Sequence, residues 1–173
     1  MIRAAKFEKV SLAQFTKDWL KNFPECTEEE AEEIWNSVRL PKRATAGSAG
    51  YDFFAPVNIV IEPGCEKLIP TGIRAKIADG YVLMLYPRSS LGFKYRLQLN
   101  NTVGVIDSDY YHADNEGHIM CRLTNDTING KTVSIEKDTG MVQGIFTPFV
   151  ITEDDEADGV RTGGFGSTTG KQG

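Results

Sequence analysis

The stretch "KLIPTGIRAKIADGYVLMLYP", Lys67 to Pro87, decides the fold. It holds two short apolar runs, "KLIPTGIRAKI" and "GYVLMLYP", with Asp79-Gly80 turning the chain between them. Short apolar runs bounded by turn residues predict strands. The same pattern extends outward over residues 41–150, where "VNIVI", "NTVGVID", "HIMCRLTN", "KTVSI" and "MVQGIFTPFVI" read as further strands. Pro63-Gly64, Asn129-Gly130 and Asp138 to Gly140 punctuate them at intervals of roughly 8–12 residues, the signature of an all-β sandwich or barrel. "TINGKTV" predicts a hairpin, because Asn-Gly tolerates the positive φ of a tight turn.

The flanks differ from this centre. Residues 1–40 have helical character, with Leu12, Phe15, Trp19 and Leu20, then Ala31, Ile34, Trp35 and Val38, recurring at helical spacing. Ser11 with Gln14 and Thr27 with Glu30 have the form of capping boxes, and Pro24 breaks the segment between them. Residues 152–173 are polar: "TEDDEADGV" reads as a solvated tether, and "RTGGFGSTTG" follows as a glycine-rich tail. The expected organisation is an N-terminal extension with helical segments (1–40), a β core (41–151) and a tether with a flexible C-terminal arm (152–173).

A chain of 173 residues suits one domain. A net charge of −5 argues against non-specific DNA or RNA binding, which needs a basic surface. A small anionic substrate needs only a local basic cluster. No apolar run approaches the ~20 residues of a membrane span, and "MIRAAKFEKV" lacks a signal-peptide core. A cytoplasmic protein without membrane partners is expected. Cys26, Cys65 and Cys121 are scattered and odd in number, so they suggest neither a zinc site nor a disulfide framework, and are expected as buried thiols in a reducing compartment.

Five clusters can carry chemistry. "AGSAGYD" makes a tight turn and ends in Asp52, which reads equally as a capping residue. "YPRSSLGFK" leaves a strand and presents Arg88, Ser89 and Ser90, a donor set suited to phosphate or simply a surface loop. "NTVGVIDSDYY" delivers Asp107, Asp109 and Tyr110 at a strand end; a carboxylate there can act as general base to water, two can bind a metal, and an Asp-rich turn is the plainer alternative. His112 and His118 follow without a paired metal-ligand pattern and read as non-ligands. Gln143, inside "EKDTGMVQGIF", must bond either the backbone of the fold or a polar site. In the tail, "GSTTGK" fails as a Walker A loop, since Phe165 stands where glycine belongs and no Ser or Thr follows Lys171.

In this order "AGSAGYD", "PRSSLGFK", "GVIDSDYY", "GMVQGIF" and "RTGGFGST" resemble the five motifs of the trimeric deoxyuridine triphosphatase (dUTPase) family. The resemblance implies a β jelly roll, a homotrimer with shared interfacial sites, and cleavage of dUTP to dUMP and pyrophosphate with Mg²⁺. It also implies a role for each matching residue. Asp107 activates the attacking water, and Tyr110 packs under the deoxyribose and excludes a 2′-hydroxyl. Asn101 and a hairpin carrying Gly104, Val105 and Ile106 read the uracil edge through the backbone. Arg88, Ser89 and Ser90 bind phosphate, Gln143 lies near the α-phosphate, and Asp52 supports the hydrated metal. Phe165 of the arm stacks on uracil, Arg161, Ser167 and Thr168 bind distal phosphates, and Gly166 also binds substrate.

Several departures stand out. Ser90 replaces the usual glycine of the second motif, Gly140 stands where arginine is common, and the tail spaces Arg161 differently. "YYHADNEGH" is longer than the usual turn, and is expected as a larger loop at the site rim. The extension is expected on the rim of the trimer or against a partner. Two other readings are a dCTP deaminase of the same fold, which shares "RSSL", and a dUTPase that also binds a regulatory protein through residues 7–38 or 110–118.

Overall fold

The apolar stretch that decides the fold breaks twice, at Gly72 and at Gly80, both with positive φ. Three strands result, where the sequence alone suggests two runs. In this computed structural model residues 2–159 and Gly163 are described. The strands are β1 (Ala5–Lys9), β2 (Lys42–Arg43), β3 (Tyr51–Phe54), β4 (Ile59–Ile61), β5 (Glu66–Pro70), β6 (Ile73–Ile77), β7 (Tyr81–Pro87), β8 (Leu97–Leu99), β9 (Gly104–Ile106), β10 (Met120–Asn125), β11 (Val133–Ile135) and β12 (Gly140–Pro148). The helices are α1 (Leu12–Asn22), α2 (Glu28–Ser37) and α3 (Ser89–Tyr95), with a 3-10 turn at Ser108–His112. The main sheet runs β2-β3-β12-β7-β9, a second runs β5-β10-β8, and β1-β6 and β11-β4 form antiparallel pairs. The architecture is the mostly-β jelly roll that the resemblance implies, with the N-terminal helical segments that the apolar spacing of residues 1–40 suggests.

Register positions the site. Gln143 on β12 lies opposite both Asp52 on β3 and Tyr86 on β7. On the far side of β7, Gly104 pairs with Leu85 and Ile106 with Leu83. Buried Phe53, Leu83, Leu85, Ile106 and Val142 close the underside of these strands.

Several expectations need correction. Within the region of helical character, residues 5–9 form a strand on β6 ahead of the first helix. The Asn129-Gly130 turn does not make a hairpin: β10 pairs with β5 and β8, and β11 pairs with β4. Buried Asn125 explains the diversion, since its amide donates to Ile61 O and Lys131 O and ties the loop across sheets. Likewise β8 and β9 are joined by a tight turn, with Thr102 at φ 65°, yet belong to different sheets. "SSLGFKY" is helical. Of the thiols only Cys121 is buried, with its pKa pushed up to about 12 by burial, while Cys65 is exposed.

The N-terminal segment is part of the core. Phe15, Trp19 and Phe23 stack along one face of α1 and are buried in one cluster with the strands. Each such side chain contributes roughly 1.5–3 kcal/mol by leaving water. Thr27 and Glu30 complete the capping box as expected. Ser11 does not: its hydroxyl caps Gln14 N–H, but Glu116, more than a hundred residues away, accepts from Ser11 N–H at 2.8 Å and from its hydroxyl at 2.6 Å.

Candidate active site

Two groups of the expected residues form, at opposite ends of β7. The first gathers Asp52, Arg88 and Gln143 from neighbouring strands. Arg88 Nε sits 3.1 Å from Asp52 Oδ1, and Arg88 Nη1 donates to Gly140 O at 3.2 Å. Gly140 permits this fold-back, because a Cβ there would stand 2.7 Å from Arg88 Nη1. The glycine where arginine is common thus makes room for the arginine of the second motif. Gln143 Nε2 donates to Pro87 O at 3.2 Å, so the amide holds the backbone that delivers Arg88. Ser89 and Ser90 follow, exposed. The partly exposed ion pair with Asp52 sets the direction of the Arg88 guanidinium, a five-donor fork of the type suited to carboxylate or phosphate.

The second group is the segment after β9. Gly104 and Ile106 are buried, while Asn101, Val105 and Asp107 are exposed. Tyr110 is only 2% exposed, with its hydroxyl donating to His118 O at 2.8 Å and accepting from Asn115 Nδ2 at 2.8 Å. Ile106 faces Leu83, so Asp107 lies level with Val82. Arg88 is six residues farther along, which at ~3.3 Å per residue places the two backbone positions about 20 Å apart.

The long segment after Tyr110 is fastened to the N-terminal elements, with Ala113, Gly117 and His118 buried and His112 and Asp114 exposed. Tyr111 donates to Glu8 at 2.6 Å and packs against the Arg74 guanidinium at 4.0 Å. Hydrogen bonds from Lys6 and Tyr111 hold the Glu8 carboxyl down at about 2. The Tyr111 hydroxyl is raised chiefly by that bond to Glu8. His118, fully buried, lies 2.6 Å from Asp18 Oδ2. Burial pushes Asp18 up, but hydrogen bonds from His118 and Gln14 outweigh it and hold the carboxyl below the usual range. The segments considered as regulatory surfaces, 7–38 and 110–118, are therefore fastened to each other.

Sequence reasoning missed Glu8, Asp18, Asn115 and Glu116. The far partners of Glu8, Asp18 and Glu116, namely Tyr111, His118 and Ser11, lie about a hundred residues away, beyond any local pattern, whereas Lys6 beside Glu8, Gln14 beside Asp18 and Tyr110 beside Asn115 are close in sequence. Arg161, Phe165, Gly166, Ser167 and Thr168 lie outside the described residues. Among the described residues no three His, Cys, Asp or Glu side chains form a metal cluster, and no helix is long and apolar enough to cross a membrane.

A profile of the dUTPase family matches residues 36–169. The deoxyuridine 5′-triphosphate nucleotidohydrolase of Lactococcus lactis is 48% identical over 134 residues, covering 76% of this chain and 88% of its own. The dUTPase of Streptococcus mutans superposes with TM-score 0.62 at 38% identity, over 85% of this chain and 98% of that one. A point mutant of the dUTPase from phage phi11 of S. aureus, solved with a structural Mg(II) ion, reaches TM-score 0.61 at 20% identity and shares the fold, over 91% of this chain and 98% of its own.

Proposed function

The chain belongs to the dUTPase family and hydrolyses dUTP to dUMP, and from that premise we propose which residues do so and how. Asp107 takes a proton from water as the water oxygen attacks the α-phosphorus. The bond to the α,β-bridging oxygen breaks, and pyrophosphate leaves opposite the attack. A positioned base of this kind is worth ~10²–10⁴-fold. The Tyr110 ring forms the sugar floor; its hydroxyl already has protein partners, so exclusion of a 2′-hydroxyl is steric. Backbone at Asn101, Gly104, Val105 and Ile106 reads uracil. Arg88, Ser89 and Ser90 hold the phosphates, and Gln143 steadies the Arg88 turn beside the α-phosphate.

The observation that carries this reading is the separation of the two groups along β7. Within one chain a phosphoryl centre touched by both Asp107 and Arg88 would have to bridge about 20 Å of backbone, which supports a site completed by a second copy. In this reading copies meet in a closed ring of three, with each interface completing one site. Phe165 of the arm stacks on the base, and Arg161, Gly166, Ser167 and Thr168 take the distal phosphates. The donor set suits Mg²⁺ that would keep its waters and be held mainly by substrate phosphates: Asp52, half engaged by Arg88, would offer an outer-sphere partner, and the described residues form no cage. Bound there, such an ion would neutralise phosphate charge. The cytoplasm, where dUTP arises, is the place of action; the reaction keeps uracil out of DNA and supplies dUMP for dTMP synthesis.

The test is product analysis with dUTP and dCTP for wild type and Asp107→Asn. Pyrophosphate from dUTP, with turnover nearly abolished in the variant, supports the assignment. Ammonia from dCTP would favour the deaminase, and wild-type turnover in the variant would remove Asp107 as base.

A further inference from the structure

α1 and the segment after Tyr110 meet along a buried polar seam that hydrolysis does not itself require. His118 has two fixed duties. Its Nε2 accepts from Gly72 N–H at 2.8 Å, so that nitrogen carries no proton. Its Nδ1 faces Asp18 Oδ2 at 2.6 Å and must hold the proton it donates. The ring is therefore one neutral tautomer, locked between β6's approach and α1. Asp18 is steadied in turn by Gln14 Nε2 at 2.8 Å.

The other side of His118 faces Tyr110. Its carbonyl accepts from the Tyr110 hydroxyl at 2.8 Å. Between them Gly117 adopts φ +69°, and a Cβ there would stand 2.6 Å from the Tyr110 carbonyl oxygen. Only glycine lets the chain double back closely enough for His118 to hold Tyr110. A second clasp lies at the surface, where Glu116 accepts both hydrogen bonds of Ser11. Buried polar pairs of this kind cost stability unless their partners are placed. An apolar contact between α1 and the segment would hold the two together without fixing the height of one ring.

We propose that Asp18 and His118 are positioning residues that make the N-terminal helix set the level of the Tyr110 ring, and through it the discrimination between deoxyribose and ribose. The proposal rests on the reading of Tyr110 as sugar floor. A steric filter against one hydroxyl works only if the floor does not sink, because a shift of ~1 Å can change rates by about 100-fold. Cutting the seam therefore admits UTP more than it slows dUTP.

The experiment measures kcat and KM for dUTP and UTP in the full chain carrying Asp18→Ala, Asp18→Asn, Glu116→Ala or Tyr110→Leu, with thermal melts alongside. Asp18→Ala is expected to lower the dUTP-to-UTP ratio of kcat/KM about tenfold. Asp18→Asn keeps the acceptor for His118 Nδ1–H and is expected to retain the ratio, a rescue that loss of helix packing would not show. Glu116→Ala loosens only the surface clasp and is expected to lower the ratio about threefold. An unchanged ratio in folded Asp18→Ala overturns the proposal; if that variant does not fold, an unchanged ratio in Glu116→Ala does so. An unchanged ratio in Tyr110→Leu overturns the reading of Tyr110 itself. A ratio lowered by Tyr110→Leu but not by Asp18→Ala overturns the positioning role alone.

Discussion

Gly140→Ala places one methyl group against the Arg88 side chain. The new Cβ would stand 2.7 Å from Nη1 and 3.1 Å from both Cδ and Cζ, well inside the ~3.5–4.0 Å of ordinary contact. Gly140 does not use a positive φ, so the backbone tolerates the change and the arginine must move. Moving it gives up the 3.1 Å pair with Asp52 and the 3.2 Å bond to Gly140 O. Both side chains of the pair are partly exposed, so its loss costs about 0–1 kcal/mol. Replacing glycine restricts the unfolded chain and returns about 0.4–1 kcal/mol. Stability should hardly change. Activity should, because a charge-assisted contact to phosphate is worth roughly 1.5–3 kcal/mol, or about 10–100-fold in kcat/KM. Melting curves and steady-state dUTP hydrolysis check both halves. The double variant with Arg88→Ala should be no worse than Arg88→Ala alone, since one group is lost twice. Near-wild-type kcat/KM in Gly140→Ala, or additive losses in the double variant, would refute the reasoning.

Two further outcomes concern stability. Glu8 sits at about 2 in the fold against an ordinary 4.5, so its contribution is complete above the ordinary value and disappears as pH falls towards about 2. Glu8→Gln should flatten the acid limb of a Tm-against-pH curve between about pH 5 and 2, leaving its neutral slope intact. Deleting residues 1–38 removes buried Phe15, Trp19 and Phe23 at roughly 1.5–3 kcal/mol each, a loss comparable to a whole domain's ~5–15 kcal/mol. The shortened chain should lose its cooperative melt by calorimetry; a stable, folded truncation would show that the helices are dispensable.

The strands were legible because turns announce themselves locally. Gly64, Gly80 and Gly130 all adopt the positive φ that their dipeptides suggest. Strand pairing was not legible, since a turn says that the chain reverses but not which edge the next strand joins. Asn125 decides that for β11, through carbonyls that no local motif includes. At the site, the residue types of the first four motifs were readable and their grouping was not. That Asp52, Arg88 and Gln143 converge while Asp107 stands apart depends on sheet order alone. The seam from Asp18 through His118 to Tyr110 was hidden for the same reason, its helix and its loop lying a hundred residues apart.

Mixing two inactive variants tests the divided site most directly. Asp107→Asn spoils one end and Arg88→Ala the other, and each homogeneous protein should be nearly inactive on dUTP. Subunits exchanged by co-refolding should recover about a quarter of the wild-type rate, the chance that a random pairing joins two intact ends. A mixture that exchanges subunits yet stays as inactive as its components would contradict a site shared between copies.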